Sequence, residues 1–160
     1  MQLTPKGSGE FELKSRDLVI QLNDGIMINS FLLPGPGEYE IGGVMIAQTV
    51  VLTRLEVEDL IIGILAPAVA EISDDALEEV GAIDILMFHL GGTNPITPKH
   101  VQTLLTQVEA SLIIPIPSDG TDVMGYCTKE MRCETVTAPY KITRSQLPVD
   151  GSKIITFAAN

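Results

Sequence analysis

Residues 32–46 read LLPGPGEYEIGGVMI, with two prolines and four glycines gathered around Glu38, Tyr39 and Glu40. Proline holds φ near −65° and glycine admits φ values closed to other residues, so Pro34 to Gly37 describe a rigid reversal of the chain. From Glu38 onward side chains alternate, which turns Tyr39 and Ile41 toward a core and Glu38 and Glu40 toward water. The stretch therefore predicts a tight turn feeding a half-buried strand. Such a turn either presents a metal or substrate site or merely joins two strands.

Upstream of this turn, EFELKS and DLVIQLND alternate about Arg16 as a hairpin with Phe11 and Leu13 on one face, and GIMINSFLL predicts one further strand. Downstream, EIGGVMIAQTVVLTRLEV is rich in β-branched residues and predicts a hairpin or long bent strand with its turn or bulge at Gly42 and Gly43. DLIIGILAP reads as a buried strand stopped by Pro67. Helices then begin to alternate with apolar strands. Ser73 is placed to cap DDALEEV, with Asp74 and Asp75 complementing the positive helix end and Gly81 supplying the stop. Thr97 and Pro98 open a second helix, whose Val101, Leu104, Leu105 and Val108 share one face. IDILMFHL and SLIIPIP are strands, TDVMGYCTKEM a short helix weakened by Gly125, and YKITRSQL and KIITFAA closing strands. This succession predicts an α/β protein with sheets covered by helices. A chain of 160 residues fits one domain, residues 1–160, because about 68–70% of its unfolded surface can be buried at this size.

The composition is globular, with 45% apolar and 19% charged residues. A formal net charge of −11 argues against nucleic-acid binding, which relies on Lys and Arg neutralising phosphates. Charge is uneven: Glu56 to Asp84 carries nine acidic residues and no basic one, a solvated face or a docking surface for a basic protein partner. Cys127 and Cys133 lack a CxxC spacing and read as free thiols of a reducing compartment. No apolar run is long enough to span a membrane, and MQLTPKGSGEFELK has no hydrophobic leader core, so the expectation is a cytoplasmic protein.

GPGEYEIGG, VGAIDILMFHLGG, a proline-opened helix and SLIIPIP occur in an order that resembles the metallo-β-lactamase superfamily, in the branch of metal-dependent hydrolases related to ascorbate-phosphate lactonase. The resemblance runs from about Gly7 to Phe157. It implies a reduced αββα sandwich in which, among relatives, imidazoles and carboxylates hold one or two metals, usually zinc, that activate water. The positions that resemble those ligands carry other residues. Ser8 stands for the histidine of the early G-H-S-C-F segment, Pro67 for the bridging aspartate, and Pro117 for the last histidine, while the central H-x-H-x-D-H loop is missing. Proline offers a metal no side-chain donor. His89 and His100 are the two histidines of the chain. His89 inherits no ligand role and reads as a strand histidine; His100, in the first turn of its helix, reads as exposed.

The sequence therefore predicts a catalytically inactive domain acting as a binding or assembly module, with no cofactor and no catalytic residue. Its candidate pocket comprises Glu38, Tyr39, Glu40, His89, Gly91 and Gly92. Loss of the loop uncovers apolar strand edges, which predicts a homo-oligomer. The competing reading is a hydrolase with a metal site rebuilt from His89, Glu38, Glu40 and nearby acids.

Overall fold

The computed structural model describes residues 1–7, 9–67, 69, 71–90, 96–118, 121–127, 129 and 131–158. Two sheets face one another. Among the described residues the first has six strands, antiparallel throughout, and the second has eight.

The N-terminal hairpin forms as the alternation predicts, β2 (Glu10–Ser15) against β3 (Leu18–Leu22), with Arg16 at φ 52° in the turn. Phe11 and Leu13 both face the core. A strand not foreseen from the sequence, β1 (Gln2–Gly7), precedes them despite Pro5. It lies between β2 and β13 (Tyr140–Lys141), and its pairing with β2 shifts register between Pro5 and Gly7, where proline has no N–H to give the ladder. GIMINSFLL is two short strands rather than one, β4 (Ile26–Ile28) and β5 (Phe31–Leu32), because Asn29 takes φ 54° and turns the chain between them.

The PGPG turn delivers the chain from β5 to β6 (Gly37–Ile41), the outer strand of the other sheet. Gly42 and Gly43, both at positive φ, then return it as β7 (Val44–Gln48), and β8 (Leu52–Val57) and β9 (Leu60–Leu65) continue the meander. From β9 the sheet turns parallel through β10 (Ile85–Leu90), β11 (Leu112–Pro117), β14 (Lys153–Phe157) and β12 (Arg132–Val136). β12 was not legible in RCETV, where two charges interrupt the apolar pattern. The region around Gly125 is a 3₁₀ turn, Val123–Tyr126, rather than an α-helix, and YKITRSQL holds only the two-residue β13 before a second 3₁₀ turn, Arg144–Gln146.

Helices α1 (Asp74–Val80) and α2 (Pro98–Gln107) are capped as their sequences require: Ser73 and Thr97 accept from the amides of Ala76 and His100, each at 3.3 Å. Two cores result. One fills the space between the sheets, with Leu3, Ile20, Ile28, Ile46, Leu55, Ile62, Met87 and Ile114. The other lies under the helices, where Val80, Val101 and Leu104 meet Leu86, Phe88 and Ile113. Both helices cover the second sheet; among the described residues no helix covers the outer face of the first, where Glu12 is paired with Lys6 and Lys14 at 3.0 and 3.3 Å. This is the α/β two-sheet architecture expected.

One expectation is overturned. Cys127 and Cys133 are joined in a disulfide, with Cα atoms 5.9 Å apart, and are not free thiols. Cys127 ends the 3₁₀ turn and Cys133 lies on β12, so the turn's fold-back brings together two sulfurs that spacing alone leaves unpaired. No helix among the described residues is long and apolar enough to cross a membrane.

Candidate functional site

Parallel strands place their C-terminal ends along one rim, and in open α/β sheets ligands bind there. The rim of the second sheet carries Pro67 just beyond β9, His89 on β10 and Pro117 ending β11. Register sets the spacing: His89 is opposite Ile116 and Leu90 opposite Pro117. Because Ile85 and Met87 face the inter-sheet core, His89, two residues further, faces the same way.

The turn between β1 and β2 comes down onto this rim. The Gly9 amide donates to the Pro117 carbonyl at 2.8 Å, and a Cβ built on Gly9 would lie 4.0 Å from His89 Nδ1. Gly9 sits at φ 73°, a conformation that glycine adopts without strain.

A cavity of about 390 Å³ opens between the sheets beside His89. Its apolar walls include Leu22, Leu33 and Ile64; Asp24, Pro34 and Pro67 stand at its edge. Gln48 and Thr53 line it as well. They face each other across β7 and β8, each on the parity of its strand's core residues, Val44 and Ile46 for Gln48 and Leu55 and Val57 for Thr53. Gln48 Oε1 is buried and has no hydrogen-bond partner among the described residues. Thr53 is 4% exposed. Burial lowers the His89 pKa below its ordinary value, because the charged imidazolium loses hydration there, so the ring is neutral at pH 7.

A second cavity, of about 660 Å³, adjoins Pro117 on the β14 side and is lined by apolar side chains such as Phe11, Pro115, Met124 and Phe157. Its described lining holds no histidine, cysteine or carboxylate.

The residues named from the sequence are only partly brought together. The turn residues Pro34, Gly35 and Pro36 do share the smaller cavity with His89. Tyr39 does not line it: half-buried against the inter-sheet core, its hydroxyl donates to the Gly35 carbonyl at 2.7 Å and braces the turn. Glu38 and Glu40 are exposed, as their alternation predicts, and neither lines the cavity with His89. Ser8, Gly91 and Gly92 lie outside the described residues. His100 is half-buried rather than exposed, with Nδ1 enclosed and unpartnered among the described residues. Gln48 and Thr53 were overlooked; polar residues at inward positions of otherwise apolar strands were the signal for them.

A zinc site takes three or four imidazole, thiolate or carboxylate donors. Among the described residues no three His, Cys, Asp or Glu side chains come close enough to hold a metal ion, and two of the rim positions are prolines. The donor set on this rim does not fit the metal that the fold implies.

No protein-family model and no curated protein sequence matches the chain. Among solved structures, it is similar to a Thermotoga maritima protein named as a predicted zinc-dependent hydrolase of the metallo-β-lactamase superfamily, at 18% identity, with a TM-score of 0.75 over 98% of each chain. Coverage is reciprocal, so the chain is not shortened relative to that neighbour. The likeness extends to the architecture, and the chain has a metallo-β-lactamase fold.

Proposed function

We propose that this chain is a metallo-β-lactamase-like domain without hydrolytic activity that serves as a binding and assembly module, with the cleft beside His89 as its binding element. The observation that supports this reading most is the rim itself: Pro67, His89 and Pro117 offer one imidazole where water activation by a metal needs several donors. The short turn from β5 to β6 is consistent with it, since residues 33–36 connect the two sheets and carry no histidine, cysteine or carboxylate.

Assembly rests on the sheet edges. β5 and β6 are the end strands of the two sheets and are joined by that four-residue turn, so both free edges lie on one side of the molecule. Phe31 is 47% exposed and Leu32 60% there. Unpaired edges bearing apolar side chains are the surfaces a second copy covers, and the module is proposed as a homo-oligomer. The acidic run from Glu56 to Asp84 is proposed as a face for a basic protein. The cytoplasm stays the proposed compartment, although the Cys127–Cys133 disulfide pulls the other way, because reducing compartments keep thiols open.

Elemental analysis of the purified protein after incubation with zinc, manganese and iron and then desalting tests the central claim. Metal absent from the desalted protein is the expected result. Retention near one metal per chain refutes the reading and promotes a rebuilt hydrolytic site containing His89, for which His89→Ala is the next variant. Light scattering tests assembly, where a monomer is the outcome against it.

A further inference from the structure

We infer that the cleft between the sheets is a binding site for a small, flat, uncharged molecule carrying an amide-like edge, a hydrogen-bond donor beside an acceptor, held by Gln48, Thr53 and His89. This deepens the reading above and rests on it for the claim that the cleft binds rather than hydrolyses.

Polarity is the first support. The inter-sheet core is dominated by apolar side chains, and a buried polar group without a partner is disfavoured by an amount comparable to a lost hydrogen bond. Yet Gln48 and Thr53 occupy directly opposed inward positions, and the buried Gln48 Oε1 has no hydrogen-bond partner among the described residues. Thr53 beside it is nine-tenths buried. His89 enters the same cavity two strands away, also without a described partner. A primary amide, a hydroxyl and an imidazole each offer both donor and acceptor capacity, which suits a ligand edge that presents both.

Charge narrows the class. Among the described residues no Lys or Arg lines the cavity, and the one charged residue at its edge is Asp24, in a chain of net charge −11. An anion entering would be dehydrated with no cation to receive it. A cation meets no carboxylate inside, because Asp24 is exposed on the β3–β4 turn. Shape narrows it further: Leu22 and Leu33 form one apolar wall and Ile64 the other, between sheets that pack about 10 Å apart, leaving a slot for a ring plane. At about 390 Å³ the cavity falls within the range of small-molecule sites, roughly 300–1,000 Å³.

The test uses the full chain and ligand-observed NMR, with nicotinamide, uracil and 2-pyridone as neutral amide probes and benzoate and benzamidine as charged ones. At least one neutral probe is expected to bind saturably below about 10 mM, with the charged pair at least tenfold weaker. Thr53→Val, close in shape, and Gln48→Leu are each expected to weaken the neutral probe about tenfold, as loss of one buried hydrogen bond does. Folding of each variant is checked by its urea midpoint, and Thr53→Val decides if Gln48→Leu does not fold. The inference is overturned if no neutral probe saturates, if benzoate or benzamidine binds as well, or if Thr53→Val binds unchanged. Metal analysis keeps the two readings apart: a metal-free protein that ignores every neutral probe defeats this inference alone, whereas a metal-loaded protein that binds them defeats the function proposed above.

Discussion

The amide of Gly9 is bonded to the carbonyl of Pro117, 2.8 Å away, tying the first turn of one sheet to the last residue of a parallel strand in the other. The tie joins the two sheets at the rim that carries His89 and Pro117, with one cavity beside His89 and an apolar one beside Pro117 and Phe157. Gly9→Ala tests its worth. At φ 73° an alanine is strained by about 1 kcal/mol, and its Cβ would approach His89 Nδ1 to 4.0 Å, an ordinary contact. The expected loss of stability is therefore about 1 kcal/mol in urea unfolding, with the fold retained by circular dichroism.

Gly63, on β9, is a packing position rather than a conformational one. A Cβ there would lie 2.7 Å from Ile83 Cδ1 and 3.2 Å from Ile83 Cγ2, and Ile83 is buried in the core beneath the helices. Gly63→Ala is expected to destabilise by about 1–3 kcal/mol through overpacking, and Gly63→Ala with Ile83→Val to recover part of it. Equal midpoints for the single variant and the parent would contradict this placement of Ile83.

Two groups of titrations separate by pH. Glu12 and Glu58 both lie below the ordinary glutamate range, Glu12 chiefly through its hydrogen bond from Lys6 and Glu58 chiefly through that from Ser15. Their folded forms hold protons less tightly than the unfolded chain, so their contribution is present above the ordinary value and is lost as pH falls through the folded values. Glu58→Gln is expected to flatten the acid side of the stability profile below about pH 4.5.

His89 acts at higher pH. Its folded pKa is lowered by burial, so the unfolded chain binds more protons at and below the ordinary histidine value, and stability falls as pH drops through about 6.5. His89→Gln is expected to remove that decline between about pH 7.5 and about 5.5, read as a urea midpoint that no longer moves. An unchanged slope would show that the imidazole is solvated.

The Cys127–Cys133 bridge closes a short loop, with a sequence separation of 6, and constrains the unfolded chain accordingly. Protein prepared without reductant is expected to show no free thiol on titration under denaturing conditions. Reduction, or Cys127→Ser with Cys133→Ser, is expected to lower stability by about 2 kcal/mol. Two titratable thiols per chain would restore the free-thiol expectation that the structure overturned.

Local physical chemistry was enough for much of this molecule. The caps at Ser73 and Thr97, the alternation that buries Phe11 and Leu13, the Gly42–Gly43 turn and the outward Glu38 and Glu40 all follow from backbone sterics, orphan amides and a period of two, which act over a few residues. β1 and β12 escaped notice because Pro5 and the charges of RCETV break those periods, and only pairing with β2 and β14 makes strands of them. The same distinction governs the site. Proline at 67 and 117 is visible in the sequence, but their position on one rim with His89 depends on parallel register between β9, β10 and β11. Tyr39 turns inward as its alternation predicts, but only the folded turn brings its hydroxyl to the Gly35 carbonyl. Gln48 and Thr53 meet across a single hairpin, but His89, far along the chain, joins them in one cleft only when three strands align their inward faces opposite a second sheet. Which polar side chains share a buried space is a property of long-range pairing, and no local preference encodes it.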